Sequence, residues 1–198
     1  ASAQDSYFYS GGKKRTLKAS QEWVAIQADD SVTPEGVAGH TAVDSKRRAK
    51  RIHRDILVTP LRKDATDSDR ESLRRELTKK RGVRRTLRAY EAKGTGALIE
   101  TGDIVVQFRP EVTREQAEAV FAEFGAVILR PLGKFAPNGY VARITDEGRN
   151  ATEVANAIYE RGITVFAHAD FLAAGESHSI PNDPLFTAQW YLNNPGST

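Results

Sequence analysis

Residues 103–125 read DIVVQFRPEVTREQAEAVFAEFG, and this stretch decides the fold. Its opening alternates, with Ile104, Val106 and Phe108 on one face, which is the pattern of a half-buried strand. Thr113 then stands where a helix N-cap belongs. Gln116, three residues on, completes a capping box. Ala117, Val120, Phe121 and Phe124 recur at the spacing that puts side chains on one helical stripe. Gly125 supplies a left-handed stop. One strand therefore feeds one amphipathic helix through a short turn.

The same grammar continues outward. Residues 126–132 read as a second strand, with Pro131 marking an edge or an end. Residues 133–139 are a loop. Tyr140, Ala142 and Ile144 alternate on a third strand. Asn150 caps a second helix, with Glu153 at the box position and Val154, Ala157 and Ile158 facing inward. Gly162 stops it, and residues 163–171 form a fourth strand. The order β-α-β-β-α-β predicts two helices on one face of a four-stranded antiparallel sheet, a ferredoxin-like sandwich. The opposite sheet face is then left free, and a unit of about 75 residues is marginal without a partner.

Upstream lies a blurred copy. Displaced by 80 residues, Val24 to Glu35 falls on Ile104 to Glu115 without a gap, and Gln, Val, Thr and Glu coincide. Residues 55–59 read as a strand. Ser68 with Glu71 caps a helix that ends at Gly82, with Leu73 and Leu77 inward. Residues 83–92 read as one closing strand. Gly36, Gly39 and His40 weaken the first helix of this copy, and residues 45–54 (SKRRAKRIHR) read as a basic loop. The expected class is α+β: two tandem ferredoxin-like modules, the first degenerate, followed by an extended tail. The expected boundaries are 1–95 for the first module, 96–102 for a glycine-punctuated linker, 103–175 for the second module and 176–198 for the tail.

Composition narrows the function. The 198 residues contain no cysteine, which excludes a disulfide framework, a thiolate metal site and a cysteine nucleophile. No apolar run approaches the roughly 20 residues that span a bilayer, so no membrane partner is expected. Residues up to 100 hold 22 Lys and Arg against 14 Asp and Glu, whereas the remainder holds 7 against 12. A basic half followed by an acidic half marks two units. Ala1-Ser2-Ala3 resembles the small-residue end of a secretory signal peptide.

Candidate chemistry is sparse. His40, His53, His168 and His178 show no metal-ligand spacing. His168 and Asp170 share one face of a strand. No serine sits in a nucleophile elbow, and no triad is legible, so the segment is not expected to be an enzyme. The basic run invites a nucleic-acid reading, but the central strands of the second unit lack the aromatic pairs that stack bases, and that unit is acidic. No nucleic-acid partner is expected. Arg48, Lys50 and Arg51 offer instead a dibasic site for secondary proteolytic processing.

The ending PNDPLFTAQWYLNN, residues 181–194, resembles the lead-in to the catalytic domain of subtilisin-like serine proteases, the subtilase superfamily with its thermitase-like and kexin-like branches. GDIVVQFRPEVTREQAEAVFAEFGAVI, APNGYVARI and VFAHADF are similar to the propeptide module of that family. SYFYSGGKKRTLKASQEWVAI is similar to the opening of its longer bacterial pro-regions. The resemblance is strong after residue 100 and weak over 30–80.

It implies a pro-region of a secreted or periplasmic serine endopeptidase, a folding template and autoinhibitor, with the family's catalytic aspartate, histidine and serine boxes beyond Thr198. The implied partner is the cognate catalytic domain, against which the free sheet face packs. The tail is implied to lie in the substrate cleft as an added strand, through Phe171, Leu172, Ala173, Ala174, Gly175, Glu176, Ser177 and His178. Asp183, in Asn-Asp-Pro, is implied to be a calcium ligand once the catalytic domain supplies the rest. No cofactor is implied for this segment alone. Two other readings stay open: a free-standing protease inhibitor of the same fold, and a nucleic-acid-binding α/β sandwich.

Overall fold

A computed structural model describes residues 6–92, 96–146 and 148–174. The fold is mixed α+β, with mostly antiparallel sheets and four helices. It opens with a hairpin, β1 (Ser6–Ser10) and β2 (Lys13–Leu17), turned by Gly11 and Gly12, both at positive φ. A two-residue hairpin turn needs that backbone region, and glycine enters it without a Cβ clash.

The first unit follows as β3 (Trp23–Ala28), α1 (Pro34–Val37), β4 (Lys50–His53), β5 (Ile56–Pro60), α2 (Asp67–Lys79) and β6 (Val83–Leu87). Its sheet runs β4-β5-β3-β6. After β7 (Ala89–Ala92), the second unit runs β8 (Gly96–Phe108), α3 (Arg114–Glu123), β9 (Ala126–Pro131), β10 (Gly139–Ile144), α4 (Ala151–Glu160) and β11 (Thr164–Ala174). Its sheet runs β11-β8-β10-β9, with β7 added beside the first half of β8. Counted within each unit, both sheets have the spatial order fourth, first, third, second.

The helix ends obey local chemistry. The Thr113 hydroxyl accepts from the Gln116 N–H while the Gln116 side chain accepts from the Thr113 N–H, the expected box. Asn150 caps α4 as expected, but Glu153 turns away to Arg88 instead of closing a box. Thr33, the counterpart of Thr113 in the 80-residue repeat, caps the short α1 through the Gly36 N–H. The α2 cap is Thr66 with Asp69, two residues before the expected Ser68 and Glu71. Asp69 reaches back to both the N–H and the hydroxyl of Thr66, which fixes the start there.

Three buried layers result. Ile104, Val106 and Phe108 of β8 meet Ala117, Val120 and Phe121 of α3 and Val154, Ala155 and Ile158 of α4. Val24 and Ile26 of β3 meet Leu73 and Leu77 of α2. The third layer joins the units. Trp23, Ala25, Ile56, Val58 and Leu87 of the first sheet pack on Ala89, Ala97, Ile99 and Ala174 of the second.

That shared layer corrects three expectations. Residues 96–102 are not a linker but the first half of a 13-residue strand. The run 83–92 is not one strand, because the chain leaves the first sheet after Leu87 and enters the second at Ala89. The basic segment 45–54 is not all loop, since Lys50–His53 pairs with β5.

Candidate functional site

The helix-free face of the second sheet is divided. Along β8, the even-numbered side chains Ile104, Val106 and Phe108 face the helices, while Ala97 and Ile99 on the other face lie against the first unit. Beyond Thr101 this second face continues through Asp103, Val105 and Gln107, past the reach of the shared layer. Neighbouring strands extend it: Val105 pairs with His168 of β11 and Val141 of β10, and Phe166 pairs with Gln107. On β9, Val127 and Leu129 alternate with core-packed Ile128 and are 49% and 45% exposed. The Phe166 and His168 rings stack at 5.5 Å, nearly parallel. The outcome is a sheet face that is closed at one end and partly exposed at the other, where Val105 is buried, Val141 and Phe166 are half-buried and Val127 and Leu129 are exposed.

A polar seam lies between the two ends. The Arg143 guanidinium grips Asp103 through Nε and Nη2 at 2.8 and 3.0 Å. Thr101 donates its hydroxyl to Asp170 Oδ2 at 2.9 Å. Burial pushes the Asp170 carboxyl above its usual range, and the nearby Asp103 adds to this. Burial likewise holds the His168 imidazole below its usual value. Desolvation disfavours the charged form in both cases. The two residues share a face, as their spacing predicts, but Asp170 takes its bond from Thr101 and His168 rests on Phe166.

The expected tail residues divide at Ala174. Phe171, Leu172, Ala173 and Ala174 are not free peptide: they pair with Glu100, Ile99, Leu98 and Ala97 of β8, and Ala174 is wholly buried. They are part of the sheet because β8 begins seven residues earlier than its alternation suggests, giving β11 a partner to its end. Gly175, Glu176, Ser177, His178 and Asp183 lie outside the described residues.

The expected dibasic site is built into the structure. Arg51 donates to the carbonyls of Ala28, Asp29, Val32 and Arg54. Lys50 pairs with Val58, and its ammonium sits 5.9 Å from the Trp23 ring centre. Arg48 is exposed, but the next residue, Ala49, is buried. Lys50 and Arg51 are therefore strand residues, while Arg48 keeps an exposed position in the loop before them.

Two features escaped the sequence reading. Glu100, 3% exposed, accepts from the N–H groups of Ala151 and Thr152, the Thr152 hydroxyl and the Tyr90 hydroxyl, joining β8 and β7 to the start of α4. The N-terminal hairpin lies over α4: Tyr7 and Tyr9 donate to Glu160, and Tyr9 stacks on Tyr159 at 4.4 Å. A partly open pocket of about 320 Å³ lies beside this contact, lined by Ser6, Tyr7, Arg88, Glu153, Asn156, Ala157 and Glu160. The Gly-Gly turn was a readable signal for the hairpin, whereas its docking on α4 had none.

Among the described residues, no group of three or more His, Asp or Glu gathers as a metal site, and no helix is long and apolar enough to cross a membrane. No protein-family model matches the chain, and no curated protein matches it.

Proposed function

We propose that this chain is the pro-region of a secreted subtilisin-like serine endopeptidase, built from two tandem ferredoxin-like modules, which assists folding of the catalytic domain and then inhibits it. The observation that carries the reading is the half-open sheet face of the second unit. Val127, Leu129, Val141 and Phe166 make an apolar surface that the chain's own helices leave uncovered. The resemblance of residues 103–171 to a propeptide module supplies an occupant, two surface helices of the catalytic domain.

A parallel-sheet hydrolase has many long-range pairings, so its folding barrier is high. A preformed apolar sheet that holds two of its helices together lowers the entropy cost of bringing them together. The residues after β11 would then enter the substrate cleft by strand addition. Asp183 would contribute one hard carboxylate oxygen to a calcium site completed by the catalytic domain.

The reading frame that encodes the chain tests this directly. Downstream of residue 198 it should encode the subtilase aspartate, histidine and serine boxes. That domain, expressed separately, should refold and then be inhibited by the full chain at nanomolar concentration. Val127→Glu with Leu129→Glu should weaken inhibition at least a hundredfold while leaving the melting temperature of the chain unchanged. A stop codon at that point would shift the assignment to a free-standing inhibitor. A domain of unrelated sequence would overturn it.

A further inference from the structure

We infer that the first unit is a brace that packs against the last residues of β11, so that residues 171–174 stay in the sheet and are withheld from a protease cleft. The tail's role rests on the function proposed above; the brace rests on the packing alone.

β11 is twice supported. Its first half lies over the second unit's own core, through Ala167 and Ala169. Its second half has another setting. Phe171 meets the buried Tyr90 ring of β7 at 6.0 Å, edge to face. Leu172 and Ala174 turn to the other side, onto Trp23, Ala25, Ile56, Val58 and Leu87 of the first unit. β8 carries the strand there, since Leu172 pairs with Ile99 and Ala174 with Ala97. β7 flanks β8 on its other side, pairing Ala89 with Ile99. β7 is tied in turn to the segment leading into β3: Ala19 bridges Tyr90, the Ser20 N–H donates to Ala89 O, and the Glu91 N–H donates to Lys18 O.

The entry and exit segments of the first unit thus lie in the same layer as the last residues of β11, and its sheet seals that layer from behind. A protease must draw several residues of substrate into an extended, unpaired conformation. Residues 171–174 are all paired to β8, Leu172 is half-buried and Ala174 wholly buried against the first unit, and Ala173 is exposed, so pairing within the second unit and packing on the first together set where the accessible peptide starts. The first unit adds the packing beneath Leu172 and Ala174, and this gives the degenerate repeat a task that its own fold does not require.

Hydrogen exchange on the full chain tests the brace without any protease, so its failure is distinct from failure of the pro-region reading. Ile56→Ala opens a gap in the buried layer that holds Leu172 and Ala174, whereas Phe121→Ala opens one in the second unit's own core. The readout is the exchange rate of amides 171–174 relative to amides 104–108. Ile56→Ala should raise that ratio tenfold or more, and Phe121→Ala should leave it unchanged or lower it. If Ile56→Ala does not fold, Ile56→Val should raise the ratio severalfold. A ratio that does not rise in the folded first-unit variant overturns the brace, as does limited proteolysis of the wild-type chain that first cuts between residues 164 and 174.

Discussion

Glu100 and Thr152 stand 52 residues apart in the chain and 2.8 Å apart in space, carboxylate to hydroxyl. The same carboxylate accepts from two backbone N–H groups at the start of α4 and from the Tyr90 hydroxyl. A negative charge there complements the helix dipole, and the first-turn donors have no partner within the helix. Glu100→Ala should cost about 3–4 kcal/mol, because buried donors lose their acceptor together with the charge. Glu100→Gln should cost roughly half of that, since it keeps shape and one acceptor oxygen. Urea unfolding of the three chains checks both, and equal midpoints would show that the network carries no weight.

Gly102 faces Arg85 in a geometry that admits a side chain only if the Arg85 guanidinium moves aside. Its φ is +90°, and a Cβ built there would collide with the Arg85 guanidinium. Arg85 also donates to Gln27 at 3.0 Å, so it is held in place over the glycine. Gly102→Ala should destabilise the chain by about 2–3 kcal/mol, part of it backbone strain and part collision. Placed in an Arg85→Ala background, Gly102→Ala should cost less, because only the strain remains. A double-mutant cycle measures the difference, and full additivity would argue against the contact.

What the sequence made legible was local. The alternation at 104–108, the Thr113 box and the Asn150 cap depend on neighbours within a few residues, and each reads correctly. Residues 83–92 misled for the opposite reason: their pattern is continuous, and only the packing of Leu87 and Ala89 in one shared layer moves the chain between sheets. Gly96 and Gly102 looked like linker punctuation, yet they are strand residues at positive φ. Of the candidate site, the shared face of His168 and Asp170 followed from period-two spacing. The burial of Ala174 did not, since its first-unit cover comes from residues 87 or more positions earlier.

Arg51 shows how a basic run becomes structural. Its guanidinium spans four carbonyls, three of them at positions 28, 29 and 32. A lysine has three donors on a flexible stem and does not reproduce that fork. Arg51→Lys keeps a trypsin site but should lose about 1–2 kcal/mol of local stability. Under native conditions trypsin should therefore cut after residue 51 about five- to thirtyfold faster in the variant than in the wild type. Mass spectrometry of timed digests reads the two rates, and equal rates would mean that the fork does not hold β4 in place.

His168 and Asp170, both half-buried at the seam, give the chain opposite responses to pH. His168 has a lowered pKa in the fold, so between that value and 6.5 the unfolded chain binds the extra proton. Its contribution is complete above 6.5 and is lost as the pH falls through that window. Asp170 has a raised pKa, so the fold holds a proton that the unfolded chain releases above 3.8. Its contribution is complete below 3.8 and is lost as the pH rises through the folded value. Asp170→Asn keeps an acceptor for Thr101 and removes the charge, so it should raise the melting temperature at pH 7, with the gain shrinking toward pH 3.8. His168→Asn should flatten the fall in melting temperature between pH 7 and pH 5. Thermal scans of the wild type and both variants across pH 4–7.5 separate the two effects, and parallel curves for all three chains would show that neither group is coupled to folding.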